Sequence, residues 1–556
     1  MRTPIASALL FIAACVVAST AGPRFYDDDP ISREPESQSA AGAKPLNLSL
    51  FFEYAYNLFV DDDRPPLNTR AANINTIDEV PDSSWFANRL GAATITPEML
   101  TRGPNAGAPP AAGHWTVLRE KSAGTNPGFT ARDERGQTWF LQFDVPESPE
   151  GGTGAVEVMT KLFWALGYNQ IETFITTVDP AHLEIDPKAT IKRPSGARTP
   201  FTQSDVDQIL GRAARNPDGT YRASAGRLLT GTVLGPFRYS GTRSDDPNDL
   251  VPHENRRELR ALRVFGAWTN LVDLKAGNTL DVLVDEDGRK LVKHYLQDVG
   301  SSLGMANNEH EWDMGWEYFY ERDSSQRRVL TFGFGLSPWQ TVPYEVYPSI
   351  GLFEGHRFDP TTWRPQTPVR AYTEMRADDA FWAARRVMAF SDDLVRAAVR
   401  TGQYSDAAAG QHLASVLIER RDAVGRAYLT AINPVINPRL DVSGALAFDN
   451  AAVDAGFATA PAGYRASWLR FDNATGTTSP IADTRSTTPS MAAPPNLQAA
   501  TGTFIAIDIS ADDPVHASWQ QPVRAYFRRT SEGWKLVGFD RLPEAPASPA
   551  TTTRRP

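Results

Sequence analysis

Cysteine is almost absent from this sequence of 556 residues, in which Cys15 is the only one. No intrachain disulfide and no cysteine-ligated zinc site can therefore form. A surplus of positive charge is also lacking, because 56 Lys and Arg residues stand against 66 Asp and Glu residues and give a formal net charge of −10. Such a surface repels a phosphate backbone, so we expect no nucleic-acid partner.

Long apolar runs are confined to the N-terminus. A charged start is followed by an apolar run from Ile5 to Val17 and by small residues up to Ala21, the pattern of a secretory signal. The run is too short to span a bilayer as a mature helix. Residues Ile12–Cys15 resemble the lipobox of bacterial lipoproteins, which implies acylation of Cys15 and a membrane anchor at the periplasmic face of the outer membrane. The alternative is cleavage after Ala21, which gives a soluble periplasmic protein.

Changes in composition predict several segments along the chain. The length alone predicts two to four domains, at roughly 100–200 residues each. The Asp- and Pro-rich start of the mature chain favours a flexible tether, because it offers little apolar surface for a core. The predicted segments are a signal peptide at 1–21, a flexible tether at 22–45, a helical or irregular extension at 46–111, a small β-rich lobe at 112–180, a mainly helical lobe with an insertion at 181–435, an all-β sandwich-like domain at 441–545 and a disordered tail at 546–556.

The periodicity of apolar residues predicts an α+β fold. Three extended segments, His114–Glu120, Phe129–Asp133 and Thr138–Asp144, form a predicted meander. A helix at Thr153–Leu166 follows it, and a second strong helix is predicted at Arg256–Asn270. The two helices therefore bracket a loop-rich region in the middle of the body.

The residues that carry candidate chemistry follow the second of these helices. The sequence from Asp273 to Asn278 is Asp-Leu-Lys-Ala-Gly-Asn, and a predicted hairpin with an Asp-Gly turn then leads to Asp298-Val-Gly300. This order resembles the catalytic core of protein-kinase-like phosphotransferases, and it is closer to the atypical HipA-like, CotH-like and secreted Fam20-like kinases than to the typical ones. Much of the chain, especially 245–304 and 347–434, also resembles a family of uncharacterised exported bacterial proteins.

The kinase resemblance implies a role for each of these side chains. Asp273 would orient or deprotonate the acceptor, and Lys275 would face the transferred phosphate. Asn278 and Asp298 would hold Mg²⁺, which bridges the phosphates of ATP. The implied fold is a two-lobe kinase-like body followed by the all-β domain.

Residues upstream complete the resemblance. The loop at 122–128, with Gly124 and Gly128, would cover the phosphates. Glu157, on the helix after the meander, would be the glutamate that such kinases carry there.

One position departs from the pattern in a way that bears on catalysis. Gln142 stands where the third strand of a kinase carries a phosphate-binding lysine, and a neutral amide cannot replace that cation. Lys121 and Lys161 are the candidate substitutes. Leu271 occupies the position where a kinase-like loop usually has histidine.

Two other functions remain open from the sequence. The protein could be a non-catalytic envelope scaffold or ligand-binding lipoprotein, whose β-domain docks peptidoglycan or a protein partner. Alternatively, the sequence from Gly300 to Gly304 fits the Gly-x-Ser-x-Gly elbow of a serine hydrolase. That hydrolase would require a helix directly after the elbow.

Overall fold

The computed structural model describes residues 22–48, 52–59, 65–121, 126–193, 195–306, 309–310, 314–319, 326, 328–332, 334, 337–497 and 500–542. The predictions for the signal segment with Cys15, for Gly124 and for the C-terminal tail lie outside these residues. Within them the predicted α+β class is confirmed. None of the helices in this part of the chain combines the length and hydropathy that a bilayer crossing needs.

The described helices, in chain order, are α1 Phe52–Phe59, α2 Pro97–Arg102, α3 Gly151–Leu166, α4 Gln203–Leu210, α5 Arg257–Thr269, α6 Arg370–Thr373, α7 Ala377–Met388, α8 Asp392–Arg400, α9 Ala407–Leu429 and α10 Ala451–Asp454. The strands of the body are β1 Trp115–Glu120, β2 Gly128–Asp133, β3 Thr138–Phe143, β4 Thr173–Val178, β5 Leu183–Lys192, β6 Arg198–Pro200, β7 Tyr221–Arg227, β8 Thr232–Gly235, β9 Thr279–Glu286, β10 Arg289–Leu296, β11 Met305–Ala306 and β12 Glu309–His310. The C-terminal strands are β13 Val435–Leu440, β14 Leu446–Asn450, β15 Gly463–Phe471, β16 Thr478–Ser486, β17 Ser490–Met491, β18 Phe504–Asp512, β19 Val523–Arg529 and β20 Trp534–Asp540.

A seven-stranded sheet forms the first lobe, in the order β4-β7-β3-β2-β1-β5-β6. Its predicted meander is confirmed as β1, β2 and β3 in antiparallel register. Phe129, Trp139 and Leu141 are buried together with Val206 and Ile209 of α4 on one face of the sheet. Because side chains alternate along a strand, Gln142 lies on the opposite face, which α3 also approaches.

The predicted lobe boundary at residue 180 is wrong, since β5, β6 and β7 all join this sheet later in the chain. The sequence signal for β5 is weak because Pro187 interrupts the strand and Ala189 is its only buried residue. Strands that carry proline are usually found at or near sheet edges, where a missing N–H donor is tolerated. The region after residue 180 therefore extends the first lobe before the helical lobe begins.

The hairpin between the two candidate motifs is confirmed as β9 and β10, which pair from Thr279↔Leu296 to Glu286↔Arg289. Its two-residue turn is Asp287-Gly288, with φ angles of 52° and 77°. Two successive positive φ angles are typical of the type I′ turn, whose twist matches that of a hairpin. β8 extends the hairpin to a three-stranded sheet.

Helices α5 to α9 form the second lobe around a large hydrophobic core. Arg257 and Arg260 at the start of α5 are fully buried, and both contact the carboxylate of Asp379 on α7, at 2.9 and 3.1 Å. These buried ion pairs join the two helices. Ser391 caps the N-terminus of α8 by accepting the N–H of Leu394, and Asp406 caps α9 by accepting the N–H of Ala408.

The C-terminal strands form two sheets, β13-β14-β17 and β16-β15-β18-β19-β20. The predicted all-β C-terminal part is confirmed, and one hydrophobic core runs from the helical lobe into its five-stranded sheet. Polar contacts cross the same boundary. The Asn433 amide donates to the carbonyls of Ile509 and Gln521 at 3.0 and 2.9 Å, and the Phe539 N–H donates to Thr76 at 2.7 Å.

Residues 22–46, which we call the N-terminal strap, are packed onto the molecule and are not the predicted flexible tether. Phe25 is 4% exposed and lies in a cluster on the five-stranded sheet. Further along, the Glu34 carboxylate contacts Arg256 of the body at 3.0 Å, and Ala40 is fully buried beside β10. A few anchors spaced along a polar segment therefore hold it in place, although its average composition is that of a linker.

Candidate functional site

The candidate catalytic loop begins where α5 ends. Asn270 adopts a left-handed conformation with φ 52°, which stops the helix and turns the chain. Leu271 then packs into the core with no exposed surface, so this position anchors the loop instead of presenting a polar group to a ligand. The chain emerges at Asp273, which is partly exposed.

Hydrogen bonds bring the two candidate motifs together. The Asn278 side chain donates to the backbone carbonyl of Asp273 at 2.5 Å and so closes the loop. The backbone carbonyl of Asn278 accepts from the N–H groups of Gln297 and Asp298 at 2.9 and 3.1 Å. The hairpin thus returns the chain to its starting point, and Asp273, Asn278 and Asp298 meet in one hydrogen-bonded unit.

Lys275 lies within this unit. Its ammonium contacts the Asp273 carboxylate at 2.8 Å, and the two side chains are 19% and 16% exposed. This partial burial strengthens the pair relative to one on an open surface. The ion pair keeps a carboxylate and a cation together at the mouth of the loop.

Asp298 begins the second motif. Its side chain is exposed, and its Oδ1 accepts the N–H of Gly300 at 3.1 Å. Val299 is 2% exposed and anchors the turn in the core. A side chain at Gly300 would come within 3.1 Å of Val156, so this position brings the turn close to α3.

A lysine from the first lobe reaches the same place. The Lys121 ammonium, directly after β1, donates to Oε1 of Gln142 on β3 at 3.1 Å. Burial lowers the pKa of Lys121, and the negative charge of Asp298 opposes that shift. The cation missing from position 142 is therefore present beside it, on the neighbouring segment and within the electrostatic reach of Asp298.

Glu157 does not take part in this group of charges. It is 3% exposed on α3 and pairs with Lys161 one turn later, at 3.5 Å. Burial raises the pKa of Glu157, while the charge of Lys161 lowers it. Of the two candidate substitutes for the missing strand lysine, Lys161 pairs with Glu157, and Lys121 lies beside Gln142.

Gly128 has a structural role at the edge of the predicted phosphate-covering loop. It faces Gln142 across β2 and β3, and a Cβ there would lie 2.3 Å from the Leu141 carbonyl. Only glycine permits that approach. The residue thus sets the distance between β2 and β3, the strand that carries Gln142.

Sequence reasoning missed Glu53, which belongs to the N-terminal extension. Its carboxylate accepts the N–H of Ala276, inside the candidate catalytic loop, at 3.1 Å. The side chain is 5% exposed, and burial raises its pKa to about 7 against the lowering effects of that hydrogen bond and of Arg238. A signal existed in the sequence, because Glu53 is the only charged residue between Lys44 and Asp61.

The hydrolase alternative is wrong. The hydroxyl of Ser302, the central residue of the Gly-x-Ser-x-Gly pattern, is fully buried and donates to the Val299 carbonyl at 2.8 Å. The chain continues into the short strand β11, whereas a nucleophile elbow leads into a helix. This serine therefore stabilises a turn and is not available as a nucleophile.

The donor atoms present suit a magnesium ion that arrives with a nucleotide. Across the described residues, no group of three or more His, Cys, Asp or Glu side chains is arranged to hold a metal by itself. Mg²⁺ is usually bound by one or two carboxylates together with water and substrate phosphates. The Asp298 carboxylate and the Asn278 amide oxygen could serve as the protein ligands of such an ion.

Comparison with solved structures gives a likeness to a kinase. No family of known proteins and no curated protein matches this sequence. Two solved structures are similar to the chain, one described as the Golgi casein kinase and the other as the same kinase with Mn/ADP bound. Each aligns with 71% of this chain and 94% of its own length, at 12% sequence identity and a TM-score of 0.30.

Proposed function

We propose that this protein is an exported, lipid-anchored phosphotransferase of atypical kinase-like type that binds a magnesium nucleotide between its two lobes. The observation that carries the proposal is the position of Lys121. Its ammonium lies against Gln142, and its charge interacts with that of Asp298. A cation from one lobe thus faces a carboxylate from the other, which is the charge arrangement that phosphate and a divalent metal require.

Each residue of the site would have a distinct role in binding the nucleotide and the metal. Lys121 would bind phosphate oxygens of the donor, and Asp298 with Asn278 would hold the metal. When bound, magnesium would neutralise charge on the phosphates. Gln142 would keep the Lys121 ammonium in place through its amide oxygen.

Asp273 would orient the acceptor hydroxyl. As the acceptor oxygen bonds to the γ-phosphorus, the bond from that phosphorus to the bridging oxygen breaks, and the acceptor proton passes to the Asp273 carboxylate. Lys275, 2.8 Å from that carboxylate, would hold it in position and face the transferred group. In the proposed setting, the anchor at Cys15 places this chemistry on the periplasmic side of a membrane.

A second function is nucleotide binding without transfer. The pairing of Glu157 with Lys161 favours it, because the helix glutamate is then not free to pair with Lys121. Such a protein would use the bound nucleotide to stabilise a scaffold. Binding and transfer therefore have to be measured separately.

The first experiment measures binding of magnesium and ATP to the full chain by calorimetry and by thermal shift. Lys121→Met and Asp298→Asn should each weaken binding by about tenfold or more, since each removes a charge-assisted contact. The matched control is Lys188→Met, which removes an exposed lysine on β5 and should leave affinity unchanged. Absence of binding to the wild type, or equal binding by Lys121→Met, would contradict the proposal.

Transfer is then followed with ATP labelled at the γ-phosphate. Asp273→Asn should retain nucleotide affinity and lose incorporation of label into the chain or an added acceptor. Binding by the wild type without any labelled product would favour the second function. A cooperative unfolding transition in each variant establishes that the substitution has not unfolded the protein.

A further inference from the structure

Two arginines face each other on the C-terminal five-stranded sheet, remote in sequence from the candidate catalytic loop. Arg465 on β15 pairs directly with Arg485 on β16, and on its other side Arg465 is opposite Ser510 of β18. Both arginines are exposed. Three adjacent strands therefore place two guanidinium groups and a hydroxyl on one face of the sheet.

Like charges directly opposite each other on neighbouring strands are destabilising unless something neutralises them. Elsewhere on the same face this requirement is met within the chain, because Arg524 makes two hydrogen bonds to Asp508 at 2.6 and 2.7 Å. In the part of the chain that the structure describes, no acidic side chain forms an ion pair with Arg465 or Arg485. Asp483 and Asp512 are diagonal neighbours of Arg465 on the same face, but among the described residues neither carboxylate forms an ion pair with either arginine.

The same arginines line an open concavity of about 490 Å³. Ser486, Thr487, Ser510 and Asp512 also line it. Its volume lies within the range of small-molecule sites, about 300–1,000 Å³. The concavity thus offers two cationic donors and several neutral donors in a space that suits a small ligand.

We infer that this concavity binds a small oxyanion, of the phosphate monoester or dicarboxylate class, between Arg465 and Arg485. A guanidinium presents parallel N–H donors that match the spacing of two oxygens on a phosphate or carboxylate. An oxyanion placed between the two groups neutralises both and removes their repulsion. The hydroxyls can donate to its remaining oxygens, and Asp512 disfavours ligands that extend negative charge towards β18.

The test is calorimetric titration of the full chain with inorganic phosphate and, separately, with succinate. Arg465→Gln and Arg485→Gln should each weaken binding by about tenfold or more, because each removes a bidentate contact. Arg470→Gln is the matched control, since it removes an exposed arginine from the same strand outside the concavity and should not change affinity. Lys121→Met should also retain affinity, which separates this site from the proposed nucleotide site.

The titrations show whether the concavity is an oxyanion site. Saturable binding of either anion that depends on both arginines supports the site, and the anion preferred identifies phosphate monoesters or dicarboxylates as the ligand class. Without ligand, Arg465→Gln should melt slightly higher than the wild type, because the repulsion is gone. Absence of saturable binding to the wild type, or equal losses in Arg470→Gln, would overturn the inference.

Discussion

At the scale of single residues, Glu53 and Lys121 are two ionisable side chains whose surroundings bear on the candidate site. Each carries an ionisable group that is largely buried, and each contacts a segment distant in sequence. Burial disfavours the charged form of both groups, which is why the pKa of Glu53 rises and that of Lys121 falls. Groups perturbed in this way cluster at functional sites.

Glu53 makes a pH-dependent contribution to stability. Its pKa is about 7 in the folded protein, compared with an ordinary value of 4.5. Between these values the folded state binds more protons than the unfolded state, so the free energy of unfolding falls as the pH rises from 4.5 to about 7. Glu53→Gln should abolish that slope and raise stability above pH 7 by about 1–3 kcal/mol, while its amide oxygen still accepts from Ala276.

Urea unfolding at a series of pH values measures this effect. Glu147→Gln is the control, because Glu147 is exposed and its substitution should leave the slope in place. An unchanged slope in Glu53→Gln would show that the Glu53 carboxyl does not titrate in this range.

At the scale of elements, the spacing between β2 and β3 positions Gln142 and hence Lys121. Gly128→Ala places a methyl group against the Leu141 carbonyl and must displace one strand from the other. We expect a loss of about 1–3 kcal/mol in unfolding free energy and a weakened nucleotide-induced thermal shift. Chemical denaturation and thermal shift with magnesium and ATP measure the two effects.

The same sheet contains the control for this substitution. Gly226 on β7 has its nearest neighbours at 3.9–4.0 Å, and its φ angle is not positive. Gly226→Ala should therefore be close to neutral in both measurements. Similar losses in the two variants would mean that any added methyl group on the sheet is harmful and that the distance at Gly128 is not special.

At the scale of the whole molecule, the N-terminal strap joins the C-terminal sheet to the body. Phe25 packs against Phe471 and Tyr526, with ring centroids 5.7 and 5.0 Å apart. Arg24 contacts Asp540 at 2.6 Å on the same sheet. The start of the described chain is thus attached to its end, and the helical lobe and the C-terminal sheets share one core.

Phe25→Ala should release this end of the strap. Removal of a buried phenylalanine typically costs about 3–5 kcal/mol, and part of that loss should appear as faster proteolysis within residues 22–33. Limited proteolysis followed by mass spectrometry locates the cuts, and denaturation gives the change in stability. Tyr26→Ala is the control, because the adjacent tyrosine is 57% exposed; equal protection of Phe25→Ala and the wild type would show that Phe25 does not hold the strap.

The sequence alone determined those features that arise from short-range interactions. The hairpin follows from Asp287-Gly288 between β-rich arms, and the helix after the meander follows from apolar residues at spacings of three and four. The order Asp273, Asn278 and Asp298 was likewise readable along the chain. Such signals need only neighbouring residues and the periods of helix and strand.

Tertiary structure decided which side chains meet. Lys121 and Lys161 were equivalent in the sequence, and only the packed sheet places one beside Gln142 and the other against Glu157. The strap and Glu53 depend in the same way on partners roughly 200 to 500 residues away. Contacts of that kind form because the whole core positions both partners at once, and no local pattern records them.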